Sequence, residues 1–322
     1  MSDYMNATLA LVGSGSMARA YAKVLQAMAI PFVVYGRGAD SARKFSAEIG
    51  VEPTLGGVEE VFDGIPERAI VAVDVPGIEE TTRTLLRRGV REILIEKPGA
   101  LSPAGVRALA TDAAHAGARV FVAYNRRFYA SVQRAREIIK DDGGISSCRF
   151  EFTERAAYVS TAAIAPEIKR NWFFANATHV IDLAFFLAGT PQSLAAETGG
   201  SLDWHPAGAI FAGAGRTTAG AIFSYHADWT GPGRWGIEVV TRNHRLFLQP
   251  LEELRLQRWG RMTVESAIVD DDFDVRFKPG LYRQMSAFLK GENACSLLSI
   301  DEHAERMAFY AHILAGTGVQ TT

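Results

Sequence analysis

Five short, almost wholly apolar segments, set apart by helical patterns, constrain this chain more than any other feature. Thr8–Val12, Pro31–Tyr35, Ala69–Pro76, Glu92–Glu96 and Arg119–Tyr124 read as strands. Between them Ser16–Met28, Asp40–Ile49, Glu79–Arg88 and Ser102–His115 read as helices. Met17, Tyr21, Val24, Leu25 and Met28 give the first helix its apolar stripe. Asp40 or Ser41 is the expected N-cap of the second, and Ser102 with Pro103 opens the fourth. Strands apolar on both faces need cover on both faces, which a parallel sheet flanked by helices supplies. Right-handed crossovers then make the domain doubly wound.

Beyond Tyr124 the texture changes. A helix is expected over Ala130–Lys140, ended by Asp141-Asp-Gly-Gly144. Strand-like stretches follow at Cys148–Thr153, Ala219–Trp229, Trp235–Val240, Arg245–Gln249, Leu254–Trp259 and Thr263–Val269. Several alternate apolar and polar residues, the pattern of an antiparallel sheet with one open face. Thr178–Leu187 reads as a buried helix, and Leu281–Lys290 and Ile300–Leu314 as amphipathic ones. The expected organisation is α/β: a Rossmann-type, doubly wound parallel domain over 1–124 and an α+β domain over 125–322 with a mainly antiparallel open sheet. A chain of 322 residues fits two domains.

Composition excludes some roles. A net charge of −2 without a basic block gives no footprint for nucleic acid. No stretch reaches the roughly 20 apolar residues of a membrane span. Cys148 and Cys295 are the only cysteines and have no metal-ligand spacing, nor do His205, His226 and His244, so no metal site is expected. Few cysteines and no signal peptide point to the cytoplasm. Asp270-Asp-Asp272 reads as a solvated loop.

The turn after the first strand is Gly13-Ser-Gly15-Ser16-Met17-Ala18. In a dinucleotide cradle each small residue has a task. Gly13 permits the tight turn, Gly15 lets the backbone approach a pyrophosphate, and Ala18 lets helix and strand pack closely. The helix N-terminus supplies free N–H groups and partial positive charge. The second strand ends in Gly36-Arg37, where NAD binders usually carry an acidic side chain. Arg37 can pair with a 2′-phosphate, assisted by Ser41, Arg43 and Lys44, so NADP is favoured. Asp40 leaves NAD possible.

Glu96-Lys97-Pro98 at the end of the fourth apolar segment, with the glycine turn before it and Tyr124-Asn-Arg-Arg-Phe128 after it, resembles the Gfo/Idh/MocA family of oxidoreductases. The resemblance covers the whole length. It implies that Lys97 stands beside the nicotinamide and the reacting hydroxyl, where an ammonium stabilises an alkoxide or relays a proton. It also implies a cis bond before Pro98. Ser16, Met17, Pro76, Glu96 and Asn125 join Gly13, Gly15, Ala18, Arg37 and Lys97 as expected cofactor contacts, and Tyr124 and Arg126 border the substrate. Arg126 and Arg127 can equally be structural. His179-Val-Ile-Asp182 matches the family's His-x-x-Asp, making His179 the general acid/base. Asp182, one turn on, orients the ring or caps backbone donors. The chain departs from the family's pattern at Ala175, where many members carry an Asp; Asn176 or Asp182 substitutes, or Lys97 and His179 divide the work differently.

The substrate so implied is a sugar, cyclitol or sugar nucleotide, with Trp172, Asn176 and His179 in its pocket and Tyr158, Lys169 and Arg170 as further candidates. Trp229 and Trp235, flanking Gly231-Pro-Gly233, belong to a sheet face through which a homo-oligomer is expected. A C=N reductase and an NADP(H)-binding regulatory or scaffold protein without turnover are the alternatives.

Overall fold

The computed structural model describes residues 9–60, 66–316 and 319–320. Thr8, expected to begin the first strand, lies outside them. The chain divides into two compact units, Met1–Tyr124 with Val275–Glu305, and Asn125–Asp274 with Arg306–Thr322.

The first unit holds a seven-stranded sheet. Its parallel strands are β1 (Leu9–Val12), β2 (Val33–Gly36), β3 (Thr54–Leu55), β4 (Arg68–Val71), β5 (Glu92–Ile95) and β6 (Arg119–Val122), in the order β3-β2-β1-β4-β5-β6. That is the doubly wound order, whose reversal falls beside β1. The connecting helices are α1 (Ser16–Ala27), α2 (Ala39–Ile49), α3 (Gly57–Glu60), α4 (Val75–Arg87) and α5 (Pro103–His115). Leu9, Ala10, Leu11, Ile70, Ile93, Leu94 and Ile95 are all buried, as strands covered on both faces must be.

Local chemistry sets the boundaries. Ser102 caps α5, its Oγ accepting the Gly105 N–H at 3.1 Å. Neither Asp40 nor Ser41 caps α2: the cap is Gly38, and Ser41 donates back to the Gly38 carbonyl at 2.9 Å. Pro76 belongs not to a strand but to the first turn of α4, where its missing N–H costs nothing.

The second unit is built on a nine-stranded sheet. In chain order its strands are β7 (Ser147–Phe152), β8 (Pro191–Gly199), β9 (Ile210–Thr217), β10 (Ile222–Asp228), β11 (Trp235–Val240), β12 (His244–Leu248), β13 (Arg255–Arg258) and β14 (Val264–Ser266). A short strand at Val319–Gln320 pairs with β8. β7 and β10 run parallel; every other pairing is antiparallel. Around it lie α6 (Ala130–Asp141), α7 (Ala156–Thr161), α8 (Pro166–Arg170), a π-helical turn (Phe173–Ala177) and α9 (Thr178–Ala188).

β7 alternates in burial, with Cys148, Phe150 and Phe152 inside. Phe185 of α9 meets Phe150 and Phe223 edge to face at ring separations of 5.5 and 5.0 Å, so α9 lies on the inner face. On the outer face Glu238 is paired with Arg149 and Arg245. Trp229 is not on that face. It is buried, donates its indole N–H to the Phe152 carbonyl at 3.1 Å and stacks on Trp204.

The chain then runs through α10 (Asp272–Arg276) and α11 (Leu281–Lys290) to β15 (Leu298–Ser299), which pairs antiparallel with β6 at the edge of the first sheet. The last helix, α12 (Ile300–Ala315), contributes its first residues to the first unit and the remainder to the second. No described helix is long and apolar enough to cross a membrane.

Candidate functional site

The expected site residues fall in both units, and each set has its own geometry. In the first unit the glycine turn joins β1 to α1. Gly13 adopts φ +117°, and a Cβ there would lie 2.3 Å from the Ala72 carbonyl oxygen, so only glycine fits. Around Gly15 an added Cβ would meet nothing within 4 Å. Gly15 and Ser16 are exposed, Met17 is half-buried and Ala18 is buried against the sheet. No side chain caps α1, which leaves its first N–H groups to an incoming anion. An open surface, uncapped donors and close backbone approach fit a pyrophosphate. Ser14 ties the turn to α2 through a 2.7 Å hydrogen bond between its Oγ and that of Ser41.

Arg37 follows the last residue of β2, exposed, with Nη2 3.5 Å from Thr81 Oγ1 on α4. The Asp40 carboxylate is engaged by Arg43. Pro76 is exposed at the start of α4.

Glu96, Lys97 and Pro98 leave the carboxyl end of β5, and the Lys97–Pro98 bond is cis. Lys97 is half-buried. Tyr21 of α1 donates its hydroxyl proton to Glu96 Oε1 at 2.7 Å. Burial pushes the Glu96 carboxyl up, against the hydrogen bond from Tyr21 and the charges of Lys97 and Lys278, which pull it down. The same burial, with the carboxylate beside it, holds the Tyr21 phenol well above its ordinary value. His303, fully buried on α12, lies with Nε2 2.9 Å from the Pro98 carbonyl oxygen. A carbonyl only accepts, so Nε2 carries the proton. Tyr124 is buried, its ring edge to face with that of His303 at 5.4 Å.

In the second unit His179 lies on the first turn of α9, buried, its ring 6.1 Å from that of Trp235. The Arg126 guanidinium sits 4.7 Å over the same indole. Trp235 therefore belongs with Arg126 and His179, a placement the sheet-face reading misses. Asn125 and Arg126 stand on a 3₁₀ turn (Asn125–Phe128), with Asn125 buried.

Asp182, one turn on, is held by basic side chains. It takes a two-pronged ion pair from Arg127, Nε to Oδ2 and Nη2 to Oδ1, both at 2.7 Å. Arg306 and Tyr310 reach the same carboxylate at 3.3 and 3.4 Å. Arg127 and Asp182 are 3% and 1% exposed, which makes Arg127 structural: it locks the 3₁₀ turn to α9.

Asn176 donates from Nδ2 to both oxygens of Glu154, at 3.0 Å each. Glu154 is buried, two residues beyond the last residue of β7. Sequence reasoning passed over it because a single acidic residue at a strand end carries no pattern. Ala175 is buried beside Asn176. Trp172 is half-buried and edge to face with Trp204. The remaining candidates lie on the short helices: Lys169 donates to the Ser160 carbonyl at 2.8 Å, Tyr158 is 59% exposed beneath the Arg155 guanidinium, and Arg170 is exposed. Among the described residues no cluster of three or more His, Cys, Asp or Glu side chains could hold a metal ion.

Comparison with known proteins bears on the fold. Residues 7–124 match the model described as oxidoreductase family, NAD-binding Rossmann fold, GFO_IDH_MocA. No curated protein matches the chain. Among solved structures, an oxidoreductase from Agrobacterium radiobacter, in complex with NAD+, L-tartaric acid and magnesium, is 15% identical at a TM-score of 0.79, over 97% of each chain. Levoglucosan dehydrogenase, with NADH and levoglucosan, is 17% identical at 0.76, over 97% of this chain and 99% of that one. The WlbA dehydrogenase from Bordetella pertussis, with NADH and UDP-GlcNAcA, is 16% identical at 0.70, over 98% and 97%. Residues 7–124, with their glycine turn and doubly wound sheet, are thus similar to the NAD-binding Rossmann fold of the Gfo/Idh/MocA oxidoreductase family.

Proposed function

We propose that the protein is a dehydrogenase or reductase of a sugar, cyclitol or sugar nucleotide, using NADP in preference to NAD. The observation that carries the reading is Lys97 at the carboxyl end of β5, in the same sheet whose β1–α1 turn has the uncapped N-terminus and glycine backbone a pyrophosphate requires. Gly13, Gly15, Ser16, Met17 and Ala18 would hold the dinucleotide phosphates, and Arg37 the adenosine 2′-phosphate. When bound, the nicotinamide exchanges a hydride with the substrate carbon.

The chain's own residues do the rest. The Lys97 ammonium donates to the reacting oxygen and stabilises negative charge there. Tyr21 and Glu96 fix the backbone and the charge beside it. The His179 imidazole takes the hydroxyl proton in oxidation and returns it in reduction, work worth about 10²–10⁴-fold. The relatives whose structures hold levoglucosan and UDP-GlcNAcA support the substrate class.

The test is absorbance at 340 nm with NADPH or NADH and a panel of sugars, cyclitols and UDP-sugars with their keto forms. Turnover is expected with at least one. Lys97→Ala is expected to cut kcat by roughly 10²-fold or more while NADPH affinity stays within a few-fold. Saturable NADPH binding without turnover of any panel member would overturn the enzyme reading in favour of a regulatory protein.

A further inference from the structure

We propose that Glu154 is a specificity-determining residue: its carboxylate accepts hydrogen bonds from hydroxyl groups of a polyhydroxylated substrate in the pocket of His179, held in place by Asn176. The proposal rests on the functional reading above.

A glutamate is seldom buried, since removing its charge from water is expensive. Glu154 is 6% exposed, at the end of a strand that a loop residue of any kind could terminate. The chain also takes pains to fix it. Phe152, which ends the strand, and the two residues after it are each pinned by a different group. The Phe152 carbonyl accepts the Trp229 indole N–H at 3.1 Å, Thr153 Oγ1 accepts the Asp228 N–H at 3.1 Å, and both Glu154 oxygens accept from Asn176. Asn176 sits on the π-helical turn, an irregularity that re-aims side chains and recurs at functional sites.

The same end of the sheet carries the rest of the pocket. Trp235 pairs with Phe152 across β7 and β11, two residues from Glu154, and its ring neighbours that of His179. Asn176 precedes His179 by three residues, on the π-helical turn that runs into α9. The imidazole neighbours the indole, and the indole's strand pairs with the strand that leads into the carboxylate. An ionised carboxylate only accepts hydrogen bonds, so it selects donors and rejects anions. Each carboxylate oxygen accepts more than one hydrogen bond, so two adjacent hydroxyls of a sugar can donate to it alongside Asn176. The Asn176 amide is not a proton carrier, which makes Glu154 a binding group and Asn176 a positioning residue.

The experiment compares the full-length wild type with Glu154→Gln and Asn176→Ala, using the panel sugar that wild type turns over best and its mono-deoxy analogues. NADPH dissociation is read by fluorescence. Glu154→Gln keeps shape and loses charge. It is expected to lower kcat/KM by roughly 10–100-fold, chiefly through KM, the range of a hydrogen bond to a charged group. NADPH affinity is expected to stay within about threefold, since that is set by other residues. At one or two ring positions, deleting the hydroxyl should cost wild type much and the variant little. That coupling is something a merely structural carboxylate would not show. Asn176→Ala, which retains the charge, should raise KM without lowering kcat in proportion, and it decides the matter if the glutamine variant does not fold. Equal deoxy penalties in wild type and variant, or an unchanged kcat/KM, would overturn the role of Glu154 while leaving the enzyme reading intact. A wild type inactive on every panel member would overturn that reading first, and this inference with it.

Discussion

Arg37 follows β2, where dinucleotide folds meet the adenosine ribose. Asp40, three residues on, is already paired with Arg43. Arg37→Asp is therefore expected to move the NADP-to-NAD preference toward NAD by about tenfold or more, because it trades a phosphate partner for a ribose acceptor and adds repulsion. The ratio of kcat/KM values for the two cofactors measures it, and an unchanged ratio would remove Arg37 from the 2′-phosphate site. Glu96 gives a pH-dependent prediction. Burial raises its folded pKa above the unfolded value near 4.5, so the unfolded chain ionises first as pH rises. The contribution of the neutral carboxyl is present below that value and is lost as pH climbs through the raised one. Glu96→Gln can still accept from Tyr21, and its Tm is expected to gain on wild type progressively from pH 4 toward pH 7. A constant Tm difference across that range would mean Glu96 is not strained by burial. At this scale the sequence was readable where a residue type has few other uses. Gly13, required by its φ and by the Ala72 carbonyl, is such a residue, and the strand end that carries Lys97 was readable from its apolar run. Glu154, Tyr21 and His303 were not, since their partners lie 22, 75 and 205 residues away and no local spacing announces them.

At the scale of elements, α9 is held by charge as well as by phenylalanine. The Arg127–Asp182 pair ties the 3₁₀ turn that carries Asn125 and Arg126 to the helix that carries His179. Removing one member leaves the other charge buried, which costs about 3–5 kcal/mol. Asp182→Ala is thus expected to be strongly destabilising by denaturant titration, more so than Arg306→Ala, whose guanidinium is only 3.3 Å from the same oxygen and partly exposed. Equal effects would place the main support on Arg306. The His-x-x-Asp spacing places Asp182 on this helix, but the partner seen there, the bidentate Arg127 guanidinium, comes from 55 residues away and has no local signature. Two strands of the second sheet, β8 and β9, escaped notice because they are rich in Ala and Gly, which carry little strand signal. The glycines have a reason. Gly215 and Gly213 pair with Phe223 and Tyr225 of β10, and a Cβ at either would fall 2.7 or 2.4 Å from the opposing ring. Aromatic side chains of one strand occupy the space of the next, so the hydrophobic pattern is written on β10 alone.

For the molecule as a whole, the nucleotide unit is completed by residues distant in sequence from its family match. The reading of 125–322 as one continuous domain followed from composition, which does not show where a late segment returns. In the fold, β15 adds an antiparallel edge to β6, Phe288 of α11 meets Phe121 of β6 edge to face at 6.2 Å, and Arg68 reaches the Leu289 carbonyl at 3.4 Å. Leu298, Ile300 and Met285 are buried there, and His303 supports the carbonyl that follows Lys97. It follows that residues 7–124, although they contain every element of the glycine turn, do not form the whole core. Leu298→Asp, which buries a charge at that edge and alters nothing in the second unit, is expected to weaken NADPH binding and lower Tm together, because an unpaired buried carboxylate costs several kcal/mol. A chain ending at Asp274 should lose NADPH binding altogether. Retention of full NADPH affinity by both proteins would mean that β15 and α11 cover a nucleotide domain already complete without them. Joint loss would make the returning segment as much a part of the cofactor site's architecture as the glycine turn proposed to hold the phosphates.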